Sequence, residues 1–380
     1  MNHDYNKESL ELHGKYHGKI GLITKVPMND RDDLSRAYTP GVAEVCKEIS
    51  RDPTLARDYT LKRNTVAIIS DGSAILGLGN LGPLAAIPVM EGKAAILKSF
   101  ANVDAFPICL DTQDTEEIIK AVKQLAPVFG AVNLEDISAP RCFEIEERLR
   151  RELSIPVMHD DQWGTATVVL GGLINALKVT NRNEGKDIKI VVNGVGSAGV
   201  AISRLLLSYG FHNMLFCDSQ GIIHDKRGGL NKEKIELISK SSLQGMIGTL
   251  EDAIQGADVF VGVSKAGALT KEMAQSMNKD AIVFALANPI PEIMPEIAKE
   301  AGVAVIATGR SDFPNQLNNS LIFPGLFKGM LDAHCKQFEI AMFTKAALAL
   351  AGHVKNPTQD AILPNMFDKE LVNVIASTVS

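Results

Sequence analysis

The chain has few aromatic residues, no basic excess, no paired cysteines and no long apolar run. Aromatics make up 5% of its 380 residues, with a single Trp. The formal net charge is −6, and no Lys/Arg cluster interrupts it, which argues against a nucleic-acid-binding surface. The five cysteines, Cys46, Cys109, Cys142, Cys217 and Cys335, are scattered, odd in number and form no CxxC. That pattern excludes a disulfide framework or a zinc ribbon and suits the reduced thiols of a cytoplasmic protein. No apolar stretch approaches the roughly 20 residues of a membrane span. The polar opening MNHDYNKESLELHGKYHGKI lacks the apolar centre of a signal peptide.

What remains is an ordinary globular composition, 46% hydrophobic and 22% charged, long enough for two domains. Short β-branched runs alternate with helical patterns throughout. In the first half they are VAIIS from Val66, Phe106 to Leu110, Ala131 to Leu134 and Ile155 to Met158. In the second half they are Ile188 to Val192, Met214 to Cys217, Val259 to Val263, Ile282 to Ala285 and Ala304 to Ala307. Strand–helix alternation predicts an α/β protein, with a doubly wound parallel sheet in its second half. The division falls near 163/164, giving domains 1–163 and 164–380. Residues 326 to 352 and 367 to 378 read as closing helices.

Two stretches match GxGxxG: GLGNLG from Gly77 and GVGSAG from Gly194. The second follows a strand directly and opens an apolar helix. The next strand ends in Asp218, 24 positions after Gly194. This is the context of a dinucleotide fingerprint: a tight turn, a pyrophosphate on a helix N-terminus and an acid for the ribose. Gly194, Gly196, Ser197, Ala198, Gly199 and Asp218 are therefore the expected nucleotide contacts. A carboxylate at Asp218 favours NAD over NADP, a preference that Lys226 and Arg227 just beyond it would soften. The first match is followed by Pro83 and has no acid at the required distance, so it reads as a close-approach loop lining a pocket.

The chemistry-bearing residues gather around IPVMHDDQWGTATVVLGGLINALKV. A strand ends in His159, Asp160 and Asp161, followed by an expected Gly164 turn and a helix from Thr165 to Val179. Carboxylates at a strand-to-helix junction either cap the helix or face a ligand. Glu135 and Asp136 end an earlier strand, and both reach one ion only if the backbone has left the strand by then. Lys93, after Gly92 at an expected helix start, is either a solvated lysine or a buried one with a lowered pKa that can act as a base. Tyr38, before Pro40-Gly41, is a packing or a catalytic residue. His13 and His17 are four apart, but Gly14 and Gly18 argue against a stable helix there. Asn288, Arg310, Asn318 and Asn319 lie in polar loops after late strands, facing the cofactor crevice.

SRAYTPGVAEVC, GLGNLGPLAAIPVMEGKAAILK, NLEDISAPRCFEIEERL, HDDQWGTA, VNGVGSAG and NQLNNSLIFPG, in that order, resemble the short bacterial malic enzymes from about residue 12 to the end of the chain. The resemblance implies an N-terminal substrate and metal domain followed by a Rossmann-like NAD(P) domain. It implies oxidative decarboxylation of L-malate to pyruvate and CO2, with Mg2+ or Mn2+ and a homodimer. By motif, Tyr38 resembles the general acid and Lys93 the general base or its relay, assisted by Asp160. Glu135, Asp136 and Asp161 resemble the metal ligands, and Asn288, Asn318 and Asn319 the substrate contacts, with Asn288 also near the cofactor. A shared site would draw Tyr38 or Lys93 from a neighbouring subunit. The chain departs from the pattern at Ala74, where larger eukaryotic relatives carry an arginine, and at Asn80, where an Asp is usual. Two other readings compete: a metal-dependent oxaloacetate decarboxylase on the same scaffold, and a non-catalytic nucleotide sensor. The retained fingerprint weighs against the first, and the retained Tyr38, Lys93 and acids against the second.

Overall fold

The computed structural model describes residues 4–182 and 187–379. Its strands fall into two sheets. The first holds β1 (Thr65–Ser70), β2 (Asp104–Cys109), β3 (Ala131–Leu134) and β4 (Val157–His159) in the order β2-β1-β3-β4, all parallel. The second holds β5 (Ile190–Asn193), β6 (Met214–Asp218), β7 (Gly221–Ile222), β8 (Val259–Gly262), β9 (Ile282–Ala285) and β10 (Val305–Thr308). Their order is β10-β9-β8-β5-β6-β7, parallel except for the short β7 edge. Parallel strands covered by helices on both faces must be apolar throughout. β1, β3, β5, β8, β9 and β10 are buried at every position. The strand order reverses between β5 and β8, which is where such sheets bind ligands.

The helix Asp160–Val179 is the spine of the molecule. From Gln162 to Leu177 all its residues except Thr165 are buried. Trp163 stacks on Phe343 at 4.8 Å, and the Asn175 amide donates to the carbonyls of Ala351 and Ile362, both at 2.9 Å. One apolar cluster runs from β1 and β3 through this helix to β5 and β8. The helix begins at Asp160, one residue after β4, and not at Thr165 after a turn. Two aspartates in a first turn complement the helix dipole. Gly164 lies inside the helix because a Cβ there would sit 1.9 Å from Asp160 Oδ1.

Two further expectations are corrected. Lys93 lies in the middle of a helix, Pro83–Ala101, whose start is set by Pro83 after Gly82. The histidine segment does form a helix, Tyr5–Tyr16, because Asp4 caps it and His17 ends it in a left-handed conformation. No residue of that helix is buried.

Candidate active site

The C-terminal ends of β3 and β4 face each other across the first sheet. At the end of β3 the chain turns sharply, with Asp136 at φ 54°. This left-handed residue breaks the strand alternation, so Glu135 and Asp136 can point the same way. The Asp136 N–H donates to Asp161 Oδ2 at 2.9 Å, which ties the turn to the start of the spine helix. Glu135, Asp136 and Asp161 each offer a carboxylate oxygen within 4.8 Å of the others.

Lys93 reaches in from its helix. Its Nζ lies 2.5 Å from Asp160 Oδ2, 2.9 Å from Glu135 Oε1 and 4.6 Å above the Phe323 ring. Burial alone would lower Lys93, but Asp160, Glu135 and Asp161 outweigh it and raise the ammonium above its ordinary range. The expectation of a lowered pKa is therefore overturned. In this arrangement Lys93 is charged and becomes a base only when its acidic neighbours are neutralised. Burial also pushes Glu135 and Asp160 up. Asp136 is pushed to about 8 by burial and then by the Asp161 charge.

Four carboxylates against one ammonium leave a negative excess in a buried site, and Asp136 Oδ2 is buried with no partner among the described residues. Crowded hard oxygen donors with an unmet charge fit a divalent cation of the Mg2+ or Mn2+ type. They do not fit zinc, which prefers nitrogen and sulfur.

Glu135, Asp136 and Asp161 line a cavity of about 720 Å3 between the two sheets. Ala74, Leu76 and Gly77 of the first glycine loop form one wall. Asn288, Asn318 and Asn319 line another, and Ala198 of the fingerprint turn faces them. The Asn318 side chain also accepts from the Ser320 N–H at 2.9 Å, capping a short 3-10 turn. In the fingerprint turn Gly194 sits at φ 102°, and a Cβ on Gly199 would lie 1.9 Å from the Gly194 carbonyl. Asp218 ends β6, beside β5.

Tyr38 is not brought to this site. It ends the helix Arg31–Ala37, is 65% exposed, and is absent from the cavity wall. Arg310 also stays outside, paired with Asp312 at 2.6 Å.

Several residues that the sequence reading missed belong here. Thr165, Ser264 and Lys265 line the cavity. Lys265 follows β8 at the crevice edge, the one signal that marked it. Asp71, fully buried, pairs with Arg141 at 3.0 Å, and the Ser138 N–H donates to Ser73 Oγ at 2.9 Å. Together they lock the loop after β1 to the metal turn. Buried Glu146 accepts from the His159 N–H at 3.0 Å and from Trp163 Nε1 at 3.2 Å, holding the strand-to-helix junction from behind. Asn80 exchanges amide hydrogen bonds with Gln113 at 3.1 and 2.9 Å. An Asp could accept only one side of that exchange, so Asn80 here anchors the glycine loop.

The chain and its fold are similar to known proteins. The family model "Malic enzyme, N-terminal domain" matches residues 17–150, and "Malic enzyme, NAD binding domain" matches residues 163–380. A bifunctional malic/malolactic enzyme of Bacillus subtilis is 52% identical over 98% of this chain and 92% of its own. An NAD-dependent malic enzyme of Geobacillus stearothermophilus is 53% identical over 95% of this chain and 76% of its own. The crystal structure of an NAD-dependent malic enzyme from Thermotoga maritima superposes with a TM-score of 0.94 at 46% identity, covering 98% of both chains. With family models matching both halves and relatives this similar over nearly its whole length, the chain belongs to the malic enzyme family.

Proposed function

We infer that this protein oxidises malate and decarboxylates the product to pyruvate and CO2, reducing NAD(P). The carrying observation is the meeting of Glu135, Asp136 and Asp161 with the Lys93–Asp160 pair on one wall of a cavity whose other wall is the nucleotide crevice. The three acids would hold Mg2+ or Mn2+, which would supply Lewis-acid polarisation of a substrate oxygen and charge stabilisation during CO2 loss. Asp160 and Lys93 form the proton path for the substrate hydroxyl: Lys93 passes its proton to Asp160 and takes one from the hydroxyl. Asn288 and Asn319, with Thr165 lining the same cavity, would hold the substrate carboxylates. Gly194, Gly196, Ser197, Ala198 and Gly199 would carry the pyrophosphate, and Asp218 the adenosine ribose. The free thiols fit a reducing cytoplasm. Among the described residues no helix is long and apolar enough to cross a membrane.

Tyr38 supplies the proton to C3 from a second copy of the chain. Among described residues 4–64 only Asp33 is buried. The segment exposes Leu22 and Ile23 at 84% each, Val26 at 54% and Leu34 at 47%. The amphipathic helix Val42–Arg51 buries no residue. An arm of this kind is a docking element for a symmetric partner, and Tyr38 lies within it.

Malate-dependent NADH formation that requires Mn2+ tests the activity; oxaloacetate loss without malate oxidation would replace it with the simple decarboxylase. Subunit mixing tests the shared site. Tyr38→Phe and Lys93→Ala homodimers should each be nearly inactive. A randomised equal mixture should recover about a quarter of native turnover, since half the dimers pair the two variants and each such dimer holds one intact site. No recovery would place Tyr38 in its own subunit's site.

A further inference from the structure

The acid at the end of β6 is not alone. Asp218 Oδ2 accepts from Arg227 Nη2 at 2.7 Å and from Lys234 Nζ at 2.8 Å, while Oδ1 accepts from the Gln220 N–H at 3.0 Å. Both cations are largely enclosed, with side chains 15% and 21% exposed. Each is positioned by its backbone. The Arg227 N–H donates to the His224 carbonyl at 3.1 Å, and the Lys234 N–H to Asn231 Oδ1 at 3.0 Å, where Asn231 caps the helix Lys232–Lys240. Arg227 Nε and Nη1 and His224 Nδ1 are buried with no partner among the described residues. The corner thus carries one negative charge against two positive ones, with donors left over.

A lone carboxylate here selects NAD, because it accepts from the ribose hydroxyls and repels a 2′-phosphate. A carboxylate already held by two cations does neither strongly. A phosphate monoester is a better partner for Arg and Lys than a carboxylate, having more charge and more acceptor oxygens. We propose that Asp218, Arg227 and Lys234 form an exchangeable-anion corner that accepts a 2′-phosphate as well as free ribose hydroxyls: with NADP, Arg227 and Lys234 transfer from Asp218 to the phosphate. Asp218 is then the NAD contact, and the two cations are the determinants for NADP. The corner also explains why burial, which would raise Asp218, is overcome: the two cations hold it down at about 2.

This rests on the dinucleotide reading of the Gly194–Gly199 turn, and the test separates the two. Adenosine 5′-monophosphate and adenosine 2′,5′-bisphosphate are titrated into the full-length protein by calorimetry, with no substrate and no turnover. Both should bind the native chain with Kd values within about thirtyfold of each other, roughly 2 kcal/mol at 1.4 kcal/mol per decade. A larger handicap for the bisphosphate overturns the proposal. Arg227→Gln should shift the ratio against the bisphosphate by about fivefold or more, and Lys234→Gln should shift it the same way. Asp218→Asn should shift it in the bisphosphate's favour. Variants that weaken both ligands equally would make the cations structural partners of Asp218 and overturn the assignment. If neither ligand binds the native chain, the nucleotide reading of the turn fails and the proposal with it.

Discussion

Binding a divalent ion should release protons, because the raised carboxyls of the metal-free site hold protons that an ion must displace. Asp136 is held at about 8 by burial and by the Asp161 charge. In an unfolded chain an aspartate titrates near 3.9. The folded metal-free protein therefore binds this proton more tightly than the unfolded chain does. The sign follows: stability is greatest below about pH 4 for this group, falls as pH rises toward 8, and levels off above it. Four pH units at 1.36 kcal/mol each put the loss on the order of 5 kcal/mol. A bound ion removes the penalty by neutralising the cluster. Mn2+ should thus raise the unfolding temperature far more at pH 8.5 than at pH 5.5. Apparent affinity should climb about tenfold per pH unit between pH 6 and 8, as expected when a ligand must lose one proton. Calorimetry at pH 6.5 in buffers of different ionisation enthalpy should count at least about one proton released per ion. A metal-induced stabilisation independent of pH, with no proton released, would refute the reasoning and remove Asp136 from the ligand set.

The other variants separate chemistry from scaffolding. Gly164→Ala places a methyl where Asp160 Oδ1 now lies; displacing that carboxylate by about 1 Å should cost on the order of a hundredfold in turnover, and a near-native rate would show that Asp160 need not stay in register with Lys93. Asn175→Ala removes the donor to two buried carbonyls and should cost about 2–4 kcal/mol in denaturant unfolding, with the active site unaffected in the folded fraction. Lys93→Ala should abolish malate oxidation while leaving nucleotide affinity nearly unchanged by fluorescence titration; a matching loss of both would make the residue structural.

The α/β alternation was legible because buried parallel strands have no polar face to disguise them, and β3 and β9 appear at their expected bounds. Glu135, Asp136 and Asp161 could be singled out because strand ends are where α/β sheets present chemistry. What was not legible depends on distance in space. The Lys93 charge state turns on Asp160, 67 positions away. Its place in mid-helix was hidden because Gly92 looks like a boundary, whereas tertiary packing carries the helix through it. The Gly164 turn failed for a similar reason: a glycine can mark a turn or a close approach, and only the folded Asp160 carboxylate decides between them. Nothing local in SRAYTPG shows that Tyr38 would leave the cavity of its own chain. Among the six motif segments it is the one that holds no buried residue.

The spine helix makes these separate facts dependent on each other. Its first turn carries Asp160 and Asp161, so its dipole favours their charge. Its body is the shared core of both sheets, so the carboxylates cannot shift without moving buried Trp163 and Val168. The metal turn is tied to that helix by the Asp136–Asp161 hydrogen bond, whereas Lys93 belongs to a different helix and meets the cluster only through side chains. Changes that disturb the spine should therefore lose metal binding and stability together, while changes to the Pro83–Ala101 helix should lose proton transfer first. A survey of core substitutions along the two helices, scored for Mn2+ affinity and for turnover with saturating Mn2+, would show this as two distinct patterns. A single common pattern would mean that the site moves as one rigid unit with no preferred anchor.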